Sequence, residues 1–152
     1  MSERHEQPAA LMLTLWRRCA AVALEAARVG DHDGAAGSLR MIRGLGHRAE
    51  QVSLLVWVDA VLEANGLAGH TGPACFRLYE IDGRGASQHP AIDWLGRLAT
   101  ARAEGDHDRM SRVMREAEVD QMRWREYLDQ ALHVAAHTIQ LEPQRRAVVA
   151  LN

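Results

Sequence analysis

One four-residue phrase occurs twice in this chain, and much of what surrounds it is repeated as well. Gly30-Asp31-His32-Asp33 returns as Gly105-Asp106-His107-Asp108. Each copy follows an Ala-rich apolar stretch and precedes a shorter one, Leu39-Arg40-Met41-Ile42 in the first case and Val113-Met114-Arg115-Glu116-Ala117 in the second. The match resumes where Glu50-Gln51-Val52 and the run from Trp57 to Leu62 echo Asp120-Gln121-Met122 and the run from Tyr127 to Leu132. The second copy reaches that point in about five fewer residues. Two versions of one helical unit are therefore expected, each reading long helix, tight turn, short helix, long helix.

The pattern along the chain supplies the elements. Residues 9–29 carry a helical stripe of Met12, Leu15, Trp16, Cys19, Val22, Ala23 and Ala26. Gly30 supplies a left-handed stop, and either Asp31 or Asp33 caps the short helix that follows. The inner face of that helix is Ala35, Ala36, Leu39 and Ile42, and Gly44 and Gly46 end it. A third helix, about 48–65, is apolar nearly all round from Val52 to Val58 and should be central or covered by a second subunit. In the second unit, Ile92, Leu95, Leu98, Ala99 and Arg102 form one stripe, with Trp94 beside it. Gly105 stops that helix, Asp106 or Asp108 caps the next, and Met110, Val113, Met114 and Ala117 face inward. The last long helix, about 120–141, is expected to bury Met122, Leu128, Ala131, Leu132, Ala135 and Ile139. Glycines and prolines punctuate 66–90. Within it, 74–81 reads either as a two-turn helix capped by Thr71 or as a short extended piece, with helix preferred. Ala147, Val148 and Val149, in the terminal piece, are expected to dock on the bundle.

The expected fold is an all-α helical bundle of about six to eight helices in a single domain over 1–152. It divides into a first pseudo-repeat of about 9–66, a connector 67–86, a second pseudo-repeat of about 87–141 and a C-terminal piece 142–152. The Gly-Asp turns, with Ala26, Ala27, Ala35 and Ala36 in one copy and Ala99, Ala103 and Ala117 in the other, resemble the middle of a tetratricopeptide repeat, where small residues let two antiparallel helices cross closely. The resemblance covers two hairpin turns and implies helical-hairpin packing. The spacing here is about twice that family's period of roughly 34 residues, and its Trp, Leu-Gly and Tyr signature is absent.

Composition narrows the function classes. Of the 152 residues 47% are hydrophobic but only 5% aromatic, so Ala, Leu, Val and Met must fill the core. A net charge of −2 argues against nucleic acid as a partner, since such binding needs a concentrated positive surplus. All 18 basic residues are Arg, a bias of coding composition rather than a functional signal. Cys19 and Cys75 form neither a CxxC nor a ligand cluster. The charged start of the chain lacks the arrangement of a signal peptide, and no apolar run approaches the ~18–20 residues of a membrane span, so a cytoplasmic protein with no membrane partner is expected.

The strongest metal-like pattern is His133 and His137, one helical turn apart, with Asp129 a turn earlier on the same face. It lacks the Glu of HExxH, and a solvated face explains it better than a bound ion. Helix capping explains the Asp residues of both Gly-Asp turns. Arg109, Arg112 and Arg115 are interleaved with Glu and Asp as on a mixed solvated surface. Arg97 and Arg102, on a more apolar helix, are expected to point inward toward acidic groups. No nucleophile–base set is recognisable, and no cofactor is implied. The expected function is a non-catalytic protein–protein interaction module of adaptor or regulator type, self-associating, with Trp57, Trp124 and Tyr127 as interface anchors. The alternative is a small-molecule- or metal-binding bundle with its site near His133 and His137.

Overall fold

The computed structural model describes residues 3–67, 75–76, 90–140 and 148–149, and side chains over 9–67 and 90–140. Among the described residues the architecture is all-helical, with six helices: α1 (Glu3–Arg28), α2 (His32–Gly44), α3 (His47–Ala64), α4 (Pro90–Glu104), α5 (His107–Glu118) and α6 (Gln121–Gln140). A two-residue antiparallel pair, β1 (Cys75–Phe76) with β2 (Val148–Val149), joins the connector to the C-terminal piece. The preferred helix over 74–81 is thus corrected at Cys75 and Phe76, which are extended. There the backbone finds its hydrogen-bonding partner in a segment distant in sequence, which local periodicity cannot register. The remainder of that segment, with Thr71, lies outside the described residues.

Both Gly-Asp turns have the same local structure. Gly30 and Gly105 take positive φ, 78° and 70°, where a side chain would be strained. Asp31 then caps α2, its Oδ1 accepting from the Gly34 N–H at 2.9 Å. Asp106 caps α5, its Oδ1 accepting from the Arg109 N–H at 3.0 Å. Of the candidate caps in each turn, the first Asp is the one used. The second, Asp33 or Asp108, lies in the first helical turn, where negative charge suits the dipole.

One continuous cluster of buried side chains draws on both halves. α3 packs on α1, α2, α4 and α6, and α6 packs on α1, α3, α4 and α5, so these two helices form the joint. This explains the nearly all-round apolar character of α3. Ala20, Ala23, Ala35, Ala99, Ala103 and Ala117 are buried at the crossings, where small side chains allow close approach. Indoles supply bulk: Trp57 and Trp94 are both buried, and their Nε1–H groups donate to the Ala20 and Val113 carbonyls at 2.9 and 2.6 Å. None of the described helices is long and apolar enough to cross a membrane.

The inward face of α1 differs from the expected stripe. Cys19, Ala20 and Ala23 are buried and Trp16, Leu24, Ala26 and Ala27 partly so, whereas Met12, Leu15 and Val22 are exposed. The Ala-rich face is the one that can approach α2 and α3 most closely. Met122 is likewise exposed at the start of α6, where Trp124 turns inward instead.

The ion pairs sit at the edges. Arg102 makes a two-pronged contact with Asp59 (2.9 and 3.0 Å), tying α4 to α3, and Arg97 reaches Asp93 and Glu116. Hydrogen bonding from Arg97 holds the Glu116 carboxyl below the usual glutamate range. A carboxyl with a lowered folded pKa contributes stability that is complete above its unfolded pKa and is lost as pH falls through the folded value. Glu116→Gln should therefore remove part of the acid sensitivity of folding while leaving stability near neutral pH within about 1 kcal/mol, since the pair is largely exposed. Replacing either cap, Asp31→Ala or Asp106→Ala, should cost about 0.5–2 kcal/mol in denaturant titrations, with a smaller loss for Asp33→Ala and Asp108→Ala.

Candidate functional site

The second turn of each half, α2 into α3 and α5 into α6, brings charged and aromatic side chains together. Arg43 comes from the last turn of α2, and His47 and Glu50 from the first turn of α3. Glu118 ends α5, and Trp124 and Arg125 lie in the first two turns of α6. Together they line a cleft of about 390 Å³. That volume is at the small end of the roughly 300–1,000 Å³ range of small-molecule sites.

His47 bridges two carboxylates from different halves. Its Nε2 lies 2.6 Å from Glu118 Oε2, and its Nδ1 lies 3.5 Å from Glu50 Oε1. The Gln51 amide also donates to Glu118 Oε2 at 3.2 Å. The His47 ring stands 4.9 Å from the Trp124 ring, which meets Trp94 edge-on at 6.4 Å. Arg43 donates from a terminal nitrogen to the Arg125 carbonyl at 3.3 Å.

Two donors here are left over. Among the described residues, Arg43 Nε and Trp124 Nε1 are the buried side-chain nitrogens with no hydrogen-bond partner, and both belong to residues lining this cleft. Leaving such a group unpaired costs on the order of 1–3 kcal/mol. Glu50, 8% exposed, is a buried carboxylate whose described contact is the longer of the two to His47. Gly46, the N-cap residue of α3, has φ 109° and no side chain, so α3 opens without a side-chain cap, unlike α2, α5 and α6, where Asp31, Asp106 and Asp120 each accept a backbone N–H.

The residues singled out from sequence fall elsewhere or play other parts. Trp57 is fully buried and Trp124 is 3% exposed, so each indole is enclosed within the single chain rather than offered to a partner. Tyr127 is half-buried against Trp94, ring centroids 5.3 Å apart, at the edge of a shallow concavity that it shares with Met122. His133 Nε2 is 3.8 Å from Asp129 Oδ1, and the His133 ring is 6.4 Å from His32. Among the described residues no three His, Cys, Asp or Glu side chains converge to hold a metal ion, so Asp129, His133 and His137 do not form one together. Arg112 and Arg115 are exposed, and Arg109 pairs with Glu104 at 3.3 Å. Arg97 and Arg102 do find acidic partners, though at the surface.

Sequence reasoning missed Arg43, His47, Glu50 and Glu118. One signal was available: Glu50 lies on the same helical face as Ser53, Leu54 and Trp57, and a carboxylate on an apolar face demands a partner.

Compared with protein-family models, curated proteins and solved structures, the chain matches none.

The two indoles offer a direct comparison. Trp57→Phe deletes a satisfied N–H, whereas Trp124→Phe deletes an unsatisfied one. Trp57→Phe should be the more destabilising by about 1 kcal/mol in chemical denaturation, and equal losses would show that Trp124 Nε1 has a partner in solution.

Proposed function

We propose that this chain is a non-catalytic helical interaction module, of adaptor or regulator type, that associates with a second copy of itself. The observation that supports it most is an apolar stripe left uncovered on α1. Leu11, Leu15, Val22 and Val29 are exposed and recur at helical spacing along one side, with Met12 next to them. Met41 of α2, 60% exposed, extends this strip, because its sulfur lies 3.9 Å from Cys19, which sits between Leu15 and Val22 on the helix. α1 has 26 residues against 13 in α2, about 39 Å against about 20 Å, so its N-terminal part overhangs its neighbour. Exposed apolar side chains in such a row, interrupted here by Arg18 and Glu25, mark an interaction site.

The stripe suits a second copy of itself. In an antiparallel α1–α1 pair centred on Val22, Leu15 of one copy would face Val29 of the other, and Arg18 would approach Glu25. A twofold arrangement satisfies both copies at once. The interface in this reading is α1 rather than Trp57 and Trp124. Tyr127, with exposed Met122 and Val119, is a smaller second patch open to a protein partner.

Three finer points belong with this reading. The halves are two versions of one tetratricopeptide-like unit, a view supported by the matching positive-φ glycines and Asp caps of the two turns. The protein works in the cytoplasm, without nucleic acid. It lacks a catalytic role, a view supported by the cleft lining, where His47 and Glu118 pair but no Ser, Thr or Cys joins them.

Sedimentation velocity over roughly micromolar concentrations tests the association. The expected result is a dimer that Val22→Glu or Leu15→Glu converts to a monomer with unchanged helical circular dichroism. A wild-type monomer throughout this range, or a dimer indifferent to both substitutions, would overturn the α1 interface.

A further inference from the structure

His47 stands between two carboxylates that belong to opposite halves of the chain, and its ring cannot suit both without an added proton. Glu118 Oε2 accepts the Gln51 amide at 3.2 Å and lies 2.6 Å from His47 Nε2. An oxygen approached by two nitrogens in this way is that of an ionised carboxylate, so Nε2 carries a hydrogen. In a neutral imidazole the other nitrogen is then a bare acceptor. That nitrogen, Nδ1, lies 3.5 Å from Glu50 Oε1, which is a second acceptor. Two acceptors so placed repel. Their approach becomes attractive only with one more proton, carried by Nδ1 or by Glu50 itself. Glu50 is buried and this is the described contact of its side chain, so the same proton decides whether a buried carboxylate has a partner.

The other charges around the ring do not titrate with it. Arg43 of α2 and Arg125 of α6 line the same cleft, and Arg48 follows His47 on its own helix. Guanidinium groups keep their charge wherever an imidazole changes its own. Gln121 and Trp124 complete the lining and carry no charge there. α1 and α4 also pack on α3, but no described residue of either lines the cleft. The proton-dependent set is therefore His47 with Glu50 and Glu118.

We propose that His47 is a proton-operated clasp between the two halves. With the added proton it holds Glu50 on α3 and Glu118 at the end of α5, and the two second turns are closed on each other. Without it, Glu50 repels the ring. His47 is half-exposed, so the ring is free to swing outward, and the contact with Glu118 goes with it. The Trp124 ring, 4.9 Å from the imidazole, then loses that neighbour as well. A rise in pH through the imidazole range thus loosens the α5–α6 turn from α3 and leaves the apolar joint intact. The clasp is independent of the α1 interface proposed above.

The full chain is followed by ¹H–¹⁵N correlation spectra from about pH 5.5 to about pH 8, across the range in which an imidazole titrates. The amides of Val119, Asp120 and Gln121, in the α5–α6 turn, are expected to move together with one midpoint. In His47→Gln they should stay in place. Movement of the same size in His47→Gln, or none in the wild type, overturns the clasp. Unfolding by denaturant tests the Glu50 contact separately, in a double-mutant cycle of His47→Gln and Glu50→Gln. Coupling of the two side chains should raise the folding constant about threefold or more at the acidic end and fall to about onefold or below at the alkaline end. Coupling that is equal at both ends, or larger at the alkaline end, overturns the role of the proton. If Glu50→Gln fails to fold, the spectra decide alone, since they need only the wild type and a substitution at a half-exposed residue.

Discussion

Trp57 donates its indole N–H to the Ala20 carbonyl at 2.9 Å while its ring is fully buried, beside a small internal space that it lines with Val58, Val61, Leu95, Ala99 and Ala135. Those residues come from α3, α4 and α6, and the acceptor from α1, so this side chain sits where four of the six helices converge. The arrangement is demanding. A buried indole must find an acceptor, and a helix can bring a backbone carbonyl within reach only where its own side chains are small. Ala20 and Ala23 meet that condition on α1. In a chain with so few aromatic residues, each large ring must be placed where it fills the most space, and the alanines are what let the backbone come to it. The same device recurs in the second half, where Trp94 reaches the Val113 carbonyl across the α4–α5 crossing. Trp124 has the ring burial without the acceptor, which is what separates the cleft from the core.

How much of this could be read from the residues alone depends on whether the controlling contacts are local. The Gly-Asp turns were legible because everything they need lies within four residues: positive φ at Gly30 and Gly105, and a carboxylate at Asp31 and Asp106 able to reach back to its own helix. The choice between the two Asp residues of each turn was not legible, since either could accept an orphan N–H until the helix start is fixed. α3 was recognisable as central because its apolar residues cover more than one face. α1 was misread for the opposite reason. Between Ala9 and Trp16 apolar side chains lie on every side, so two stripes compete, and periodicity favours the one with the larger residues. Packing chose the alanine face, because close approach to α2 and α3 gains more contact than burying Leu15 and Val22 at a greater separation. The cleft was the least legible part. Its members lie in two segments far apart in sequence, and Arg43, His47 and Glu118 taken singly read as ordinary surface charge.

The charged pairs contribute orientation more than stability. Arg102–Asp59 and Arg97–Glu116 are both substantially exposed, and such pairs are worth little individually in water. Their placement is informative nonetheless. Arg102 ties the end of α4 to the middle of α3, and so ties one half of the chain to the other, at the rim of the apolar joint. Gln140 of α6 bonds the Arg28 carbonyl at the end of α1, a second polar tie between the halves. Directional contacts at the rim reinforce the register that the packed interior sets.

These constraints bear on where the bundle can change. The joint made by α3 and α6 is closely packed, and a shift there would disturb Trp57 and every element it touches. The cleft lies at one end of that joint, where the two second turns meet through His47 and Glu118 rather than through apolar contact. A single imidazole shared between carboxylates of opposite halves is easier to rearrange than interlocked side chains, because its hydrogen bonds can be exchanged for others of similar worth. The overhanging part of α1 is similarly free of the joint, its exposed face owing nothing to α3 or α6. The two regions that carry unmet physical needs, unpaired donors in one and uncovered apolar surface in the other, are therefore those that the core does not fix. The rigidity that Trp57 imposes stops short of both.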